Sequence, residues 1–170
     1  MIAELLAGVV LGCGGAPMDR QIPVSRGRQV VRTIDTLGMQ AYVPVGPADV
    51  WKTLPAVYRE LGLEVNFQES ANWRLGTCYQ RVRLRLGERS LSTLLDCGDQ
   101  RGLPNADRYD VGLTVLTTLM PSTENTSTLY IFVLGVGLNA SGAAGDRIWC
   151  YSKGVIEEQI REGVERLSRA

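Results

Sequence analysis

The feature that most constrains this chain is a pair of long apolar segments facing each other across a short turn. Tyr109, Val111, Leu113, Val115 and Leu119 recur with period two, Pro121 to Thr126 reads as a turn, and Leu129 to Leu138 returns as a strand. Period two places alternate side chains on one face of an extended chain. Two such strands joined by a tight turn pair antiparallel. Their apolar face then needs a covering layer, because a lone hairpin is marginal in water.

Two segments are built to provide that layer. Pro47-Ala-Asp-Val-Trp starts a helix, with Pro in the first turn and Asp49 near the positive end of the dipole. Val50, Trp51, Leu54, Val57, Tyr58 and Leu61 share one face, Pro55 strains the middle, and Gly62 is a natural stop. Ser152 to Leu167 is a second amphipathic helix, with Val155, Ile156, Ile160, Val164 and Leu167 inward. Glu157, Glu158, Arg161, Glu162, Glu165 and Arg166 are assigned to its solvent face.

Between them, Thr33 to Pro44 reads as extended, and Leu63 to Gln68 and Leu75 to Leu86 as a hairpin closed by Ser70-Ala-Asn-Trp. Arg89 to Leu95 reads as a short helix, and Gly98–Asp107 and Ala140–Gly145 as loops. The expected order is β-α-β-β-(α)-β-β-α. The fold class is α+β, a mainly antiparallel sheet with one face covered by two helices. The domain layout is 1–12 signal-peptide-like, 13–32 a flexible tether, and 33–170 one α+β domain.

Composition narrows the function. Lys+Arg and Asp+Glu each number 18, so no excess positive charge calls for nucleic acid. Histidine is absent. That removes Ser-His and Cys-His nucleophile pairs and His-containing zinc sites. With no Cys-x-x-Cys either, no metal or cofactor is expected, and the chain reads as a non-enzyme.

The opening residues look like an address. Ile2 to Leu11 is apolar apart from Glu4, too short to span a bilayer, and ends in small residues. Val10-Leu11-Gly12-Cys13 resembles the bacterial lipobox, which implies lipid attachment at Cys13 and a mature protein beginning there. The plainer account is a buried first element with an incidental cysteine. Arg20, Arg26, Arg28 and Arg32 make the following segment basic, as a tether near anionic head groups would be.

The other cysteines are Cys78, Cys97 and Cys150. An exported chain meets an oxidising compartment. Cys97 and Cys150 lie at element boundaries, where the backbone can adjust to the roughly 5.5–6 Å Cα separation of a bridge. They are expected to pair, leaving Cys78 as a buried free thiol inside a strand.

Two clusters remain. Arg81, Arg83 and Arg85 fall on one face of their strand, Val82, Leu84 and Leu86 on the other, and Tyr79 joins the arginines. This is a candidate contact surface for head groups, glycan phosphates or an acidic partner. Its plainer account is the solvated face of a half-covered sheet. Asp96, Asp99, Asn105, Asp107 and Asp110 crowd one loop without the spacing of a calcium loop. Arg101 and Arg108 lie among them, so ion pairing and turn capping account for them better.

A lipobox, a basic linker and then Pro-Ala-Asp-Val-Trp-Lys-Thr-Leu-Pro-Ala-Val-Tyr-Arg-Glu-Leu-Gly-Leu-Glu-Val, with Leu75-Gly76-Thr77 beyond, resemble bacterial lipoproteins of the BamC type. The resemblance implies a helix-grip-like domain in a non-enzymatic accessory of outer-membrane barrel assembly. That family carries two such domains and a longer tail; this chain has room for one. The functional expectation is a non-enzymatic envelope lipoprotein, periplasm-facing and more suited to the outer than the inner membrane. It would be held to the membrane by its lipid and act through protein or envelope contacts. The alternative is a binding module for a small apolar ligand between sheet and C-terminal helix, in a groove opened by Gly135 and Gly137. A hydrolase using the Asp-rich loop ranks behind both.

Overall fold

The computed structural model describes residues 38–138 and 147–169. The signal-like segment, Cys13 and the tether to Arg32 lie outside the described residues.

Strand β1 (Gly38–Val43) leads into helix α1 (Pro47–Glu60). Pro47 occupies the first turn and needs no N–H there, Asp49 sits at the N-terminal end and Arg59 at the C-terminal end. The helix ends because Gly62 takes a left-handed φ of 76°. The Leu63 N–H then reaches back to the Tyr58 carbonyl at 2.9 Å and the Gly62 N–H to that of Arg59 at 3.1 Å. Pro55 is carried inside the helix without ending it. Val50, Leu54, Val57 and Tyr58 are buried, as the spacing predicts.

Strand β2 (Phe67–Glu69) and strand β3 (Arg74–Arg83) form the expected hairpin around a short 3-10 turn. Past β3 the chain breaks into small pieces. These are β4 (Arg85–Leu86), β5 (Arg89–Ser90), the one-turn helix α2 (Leu91–Leu94), β6 (Leu95–Asp96), β7 (Asp99–Gln100) and β8 (Leu103–Pro104). The expected loop 98–107 thus holds a small hairpin of its own, turned by Arg101 and Gly102, both at positive φ. Then come the two long strands, β9 (Asp110–Thr123) and β10 (Thr126–Leu138). Strand β11 (Arg147–Ser152) and helix α3 (Val155–Leu167) close the chain.

β9 lies between β3 and β10, and all these pairings are antiparallel. Along its other edge β10 pairs first with β1 and then with β11, which carries β6 outside it. The α+β class and the mainly antiparallel sheet hold. Helices α1 and α3 pack together and cover one face. Their close approach is set by Gly163, where a Cβ would come within 2.8 Å of Val57. On that face Val111, Leu113, Val115, Leu119, Leu129, Ile131 and Val133 are buried against the helices. Two polar groups buried in this core have partners. The buried Tyr58 hydroxyl and the Thr117 Oγ1 are 2.9 Å apart, and Ser127 Oγ donates to the Val45 carbonyl at 2.8 Å.

Three expectations need correction. Strand β11 adds an element that the expected order lacks, and the C-terminal helix starts at Val155, not at Ser152. The alternation through Leu86 breaks at Leu84, which bends with φ 63° and exposes its side chain; a bend resets the two-residue period. Glu157 is buried, not solvent-facing, because its Oε2 accepts from Ser152 Oγ at 2.6 Å, at the turn into α3.

Candidate functional site

The sheet face away from the helices is where sequence-derived contact residues and exposed apolar side chains meet. Tyr79 sits at a bulge in β3, where the pairing to β9 slips between Thr77 and Gln80. Its backbone takes a φ of 54° and its N–H donates to Thr114 Oγ1 at 3.2 Å. The ring lies over Gly112, where a Cβ would fall within 2.4 Å of it. Half exposed, it presents an aromatic surface beside Arg81, which pairs with that same Gly112.

The structure keeps Tyr79, Arg81 and Arg83 on one side of β3 and all three arginines exposed. Arg83 Nε lies 3.6 Å from Asp110 Oδ1 across the strand pair. Arg85, past the bend, donates to the Glu88 carbonyl and so serves the β4–β5 turn as well. The basic stripe is therefore two residues long, with Arg85 displaced by the Leu84 bend.

The open face extends well beyond this stripe, and sequence reasoning missed its character. In β10 the helix-facing residues alternate with Thr128, Tyr130, Phe132, Leu134, Val136 and Leu138, all half-buried. Phe132 stands opposite Leu116, Leu134 opposite Tyr151, and Val136 opposite Trp149. Trp149 and Tyr42 are exposed. The signal was present in Leu129–Leu138, which is apolar on both alternations; a strand with one solvated face would alternate.

The Asp-rich loop is held by its own backbone. Asp96 Oδ1 accepts from the Gly98 N–H at 2.9 Å, and Asp107 Oδ1 accepts from the Ser92 N–H at 2.9 Å. Asn105 Nδ2 donates to the Cys97 carbonyl at 3.2 Å and Arg108 Nη1 to Gln100 Oε1 at 3.2 Å. Among the described residues no three His, Cys, Asp or Glu side chains are grouped to hold a metal ion.

The space that Gly135 and Gly137 were expected to open is filled. A Cβ at Gly135 would meet Cys150 Cβ at 2.8 Å and Val111 at 3.0 Å, and one at Gly137 would meet Ile148 at 2.7 Å. These glycines let neighbouring side chains close over the strand.

Cys97 and Cys150 form the expected disulfide, with Cα atoms 4.1 Å apart. It ties the end of β6 to β11 beneath the buried core. The expected free thiol is corrected: Cys78 is disulfide-bonded and only half-buried.

No protein-family model matches the chain, and no curated protein matches its sequence.

Proposed function

We propose that this chain is a non-enzymatic domain of the bacterial cell envelope that works by contact. The observation that carries the reading is the state of its cysteines: Cys78, Cys97 and Cys150 are all in disulfides. Such bonds persist in exported proteins and are reduced in the cytosol. The stripe of Tyr79, Arg81 and Arg83, with Arg85 beside it, is the contact surface. Guanidinium groups next to an exposed ring suit an anionic partner surface in the envelope.

The lipobox-like Leu11-Gly12-Cys13 supports a second element of this reading, a lipid anchor at Cys13 facing the periplasm. The BamC-like residues fit an accessory role of the same kind.

Cell fractionation with thiol trapping tests the export reading. Alkylation of intact cells should leave Cys97 and Cys150 unlabelled, with the protein in the envelope fraction. A cytosolic protein with both cysteines alkylated would overturn it.

A further inference from the structure

We propose that Leu84 and the arginines around it dock the domain on the surface of an anionic phospholipid bilayer. Leu84 enters the head-group layer, and Arg81, Arg83, Arg85 and Arg89 meet lipid phosphates. This docking rests on the contact surface proposed for the same stripe and names its partner.

Leu84 breaks two rules at once. It is a branched apolar residue at φ 63°, in the left-handed region that favours glycine. Its side chain is 53% exposed, although Val82 and Leu86 on either side belong to the core. Glycine would take that backbone without strain. A leucine held in a strained conformation that turns it into solvent points to use by something outside the fold.

The tip is also held in place. The Leu84 carbonyl accepts from the Leu91 N–H at 2.9 Å. Arg83 stands opposite Arg85 across the bend, and Leu86 stands opposite Arg89. Strands β3, β4 and β5 lie side by side at the end of the sheet. Positions 83, 85 and 89 therefore span about 10 Å, at roughly 4.8 Å per strand. A tip already ordered in the free protein loses little freedom on docking.

Charge supplies the partner. The stretch 81–89 holds four arginines and one acid, Glu88, in a chain of zero net charge. All four arginines are exposed. Arg83 Nε lies 3.6 Å from Asp110, and Arg85 donates to the Glu88 carbonyl. Arg81 and Arg89 have no ion pair among the described residues. Guanidinium forks match phosphate oxygens. A soluble polyanion would satisfy these charges and leave Leu84 in water. A bilayer surface offers phosphates and, just beneath them, an apolar layer for Leu84. The exposed Tyr79 ring beside Arg81 suits the same boundary, since tyrosine gathers at membrane interfaces.

The test uses the full chain carrying Cys13→Ser, so that no lipid anchor contributes, and vesicles of phosphatidylcholine with or without phosphatidylglycerol. Co-sedimentation should be strong only with phosphatidylglycerol and should fall steeply as salt rises. Each arginine changed to Gln, Arg89→Gln included, should weaken it about fivefold. Leu84→Gly should weaken it about tenfold. The denaturation midpoint of that variant should stay level or rise, because glycine relieves the left-handed strain. Leu84→Asn, which also tolerates that backbone, should behave in the same way. A leucine with a purely structural role would instead lower the midpoint and leave sedimentation unchanged. No binding to anionic vesicles, equal binding to both vesicle types, or wild-type binding by the Leu84 variants would overturn the proposal. If one of these occurs while changing Arg81, Arg83 and Arg85 to Gln still removes envelope association, the contact surface stands and its partner is a protein or a glycan. If that triple variant keeps its association, the contact reading fails as well.

Discussion

The two faces of the β9–β10 hairpin are made from the same strands yet have opposite fates. On the helix side, Leu113, Val115, Leu129 and Ile131 are fully enclosed by α1 and α3. On the other side, Leu116, Phe132, Leu134 and Val136 are nearly as apolar and only half-buried. Polarity alone therefore does not tell which face is finished. The helix face is complete because two long helices, closely seated at Gly163, reach across it. No helix of the described residues covers the open face.

The comparison can be broken most forcefully at the bridge under the helix-covered side. Cys150→Ser should lower stability by about 4 kcal/mol, the chain-entropy value for the 53-residue separation it closes. Denaturant midpoints would show it, and reduction of the wild type should move the midpoint in the same direction. An unchanged midpoint would mean that β11 and β6 hold together without the bond.

Neighbouring residues of β10 sharpen the contrast. Ile131→Ala, on the enclosed face, should cost about 3 kcal/mol through lost burial and the cavity left behind. Leu134→Ala, on the open face, should cost about 1 kcal/mol, because a half-exposed side chain loses less when shortened. Equal costs, measured by urea unfolding, would show that both faces are equally packed.

A smaller effect concerns the polar group inside the enclosed face. Burial pushes the Tyr58 phenol well above its ordinary value of 10.0, with the Thr117 hydroxyl opposing in part. A raised native pKa means stability is complete below pH 10.0 and declines as pH rises past it, where the unfolded tyrosine ionises and the native one does not. Tyr58→Phe should remove that component of the alkaline decline and cost about 1 kcal/mol at neutral pH for the lost hydrogen bond. Alkaline unfolding curves of the two proteins would check both points.

The smallest expected effect lies at the edge of the open face. Changing Arg81, Arg83 and Arg85 together to Gln should cost under about 1 kcal/mol, since exposed pairs such as Arg83–Asp110 contribute little. In a Cys13→Ser background, which carries no lipid, the same three changes should lose association with the envelope fraction. Unfolding, or unchanged association, would each count against the contact surface.

How far the sequence was legible depended on the length of each signal. The long strands and helices announced themselves, because many residues vote for one period. The stretch from Leu84 to Asp107 did not. Its strands are two residues long and its course is decided by bends at Leu84, Gly87, Gly98, Arg101 and Gly102. Leu84 and Arg101 adopt positive φ although neither residue type advertises it. Strand β11 was missed for a similar reason: Arg-Ile-Trp-Cys-Tyr-Ser has no simple alternation of polar and apolar residues, and it becomes a strand because β10 offers it a free edge. At the candidate site, Tyr79, Arg81 and Arg83 were readable from period two, whereas the bulge that seats the Tyr79 ring over Gly112 was not.

By itself, then, the sequence determined the class, an antiparallel sheet under two amphipathic helices, and the pairing of Cys97 with Cys150, although Cys150 lies within β11 and not at the element boundary expected of it. Those follow from local periodicity and from the chain's own covalent chemistry. Only the tertiary structure decided which apolar face the helices took, that Gly135 and Gly137 close a gap instead of opening one, and that Cys78 is bonded. Each of these depends on what lies opposite a residue across a strand pair or a layer, a neighbour often far away along the chain.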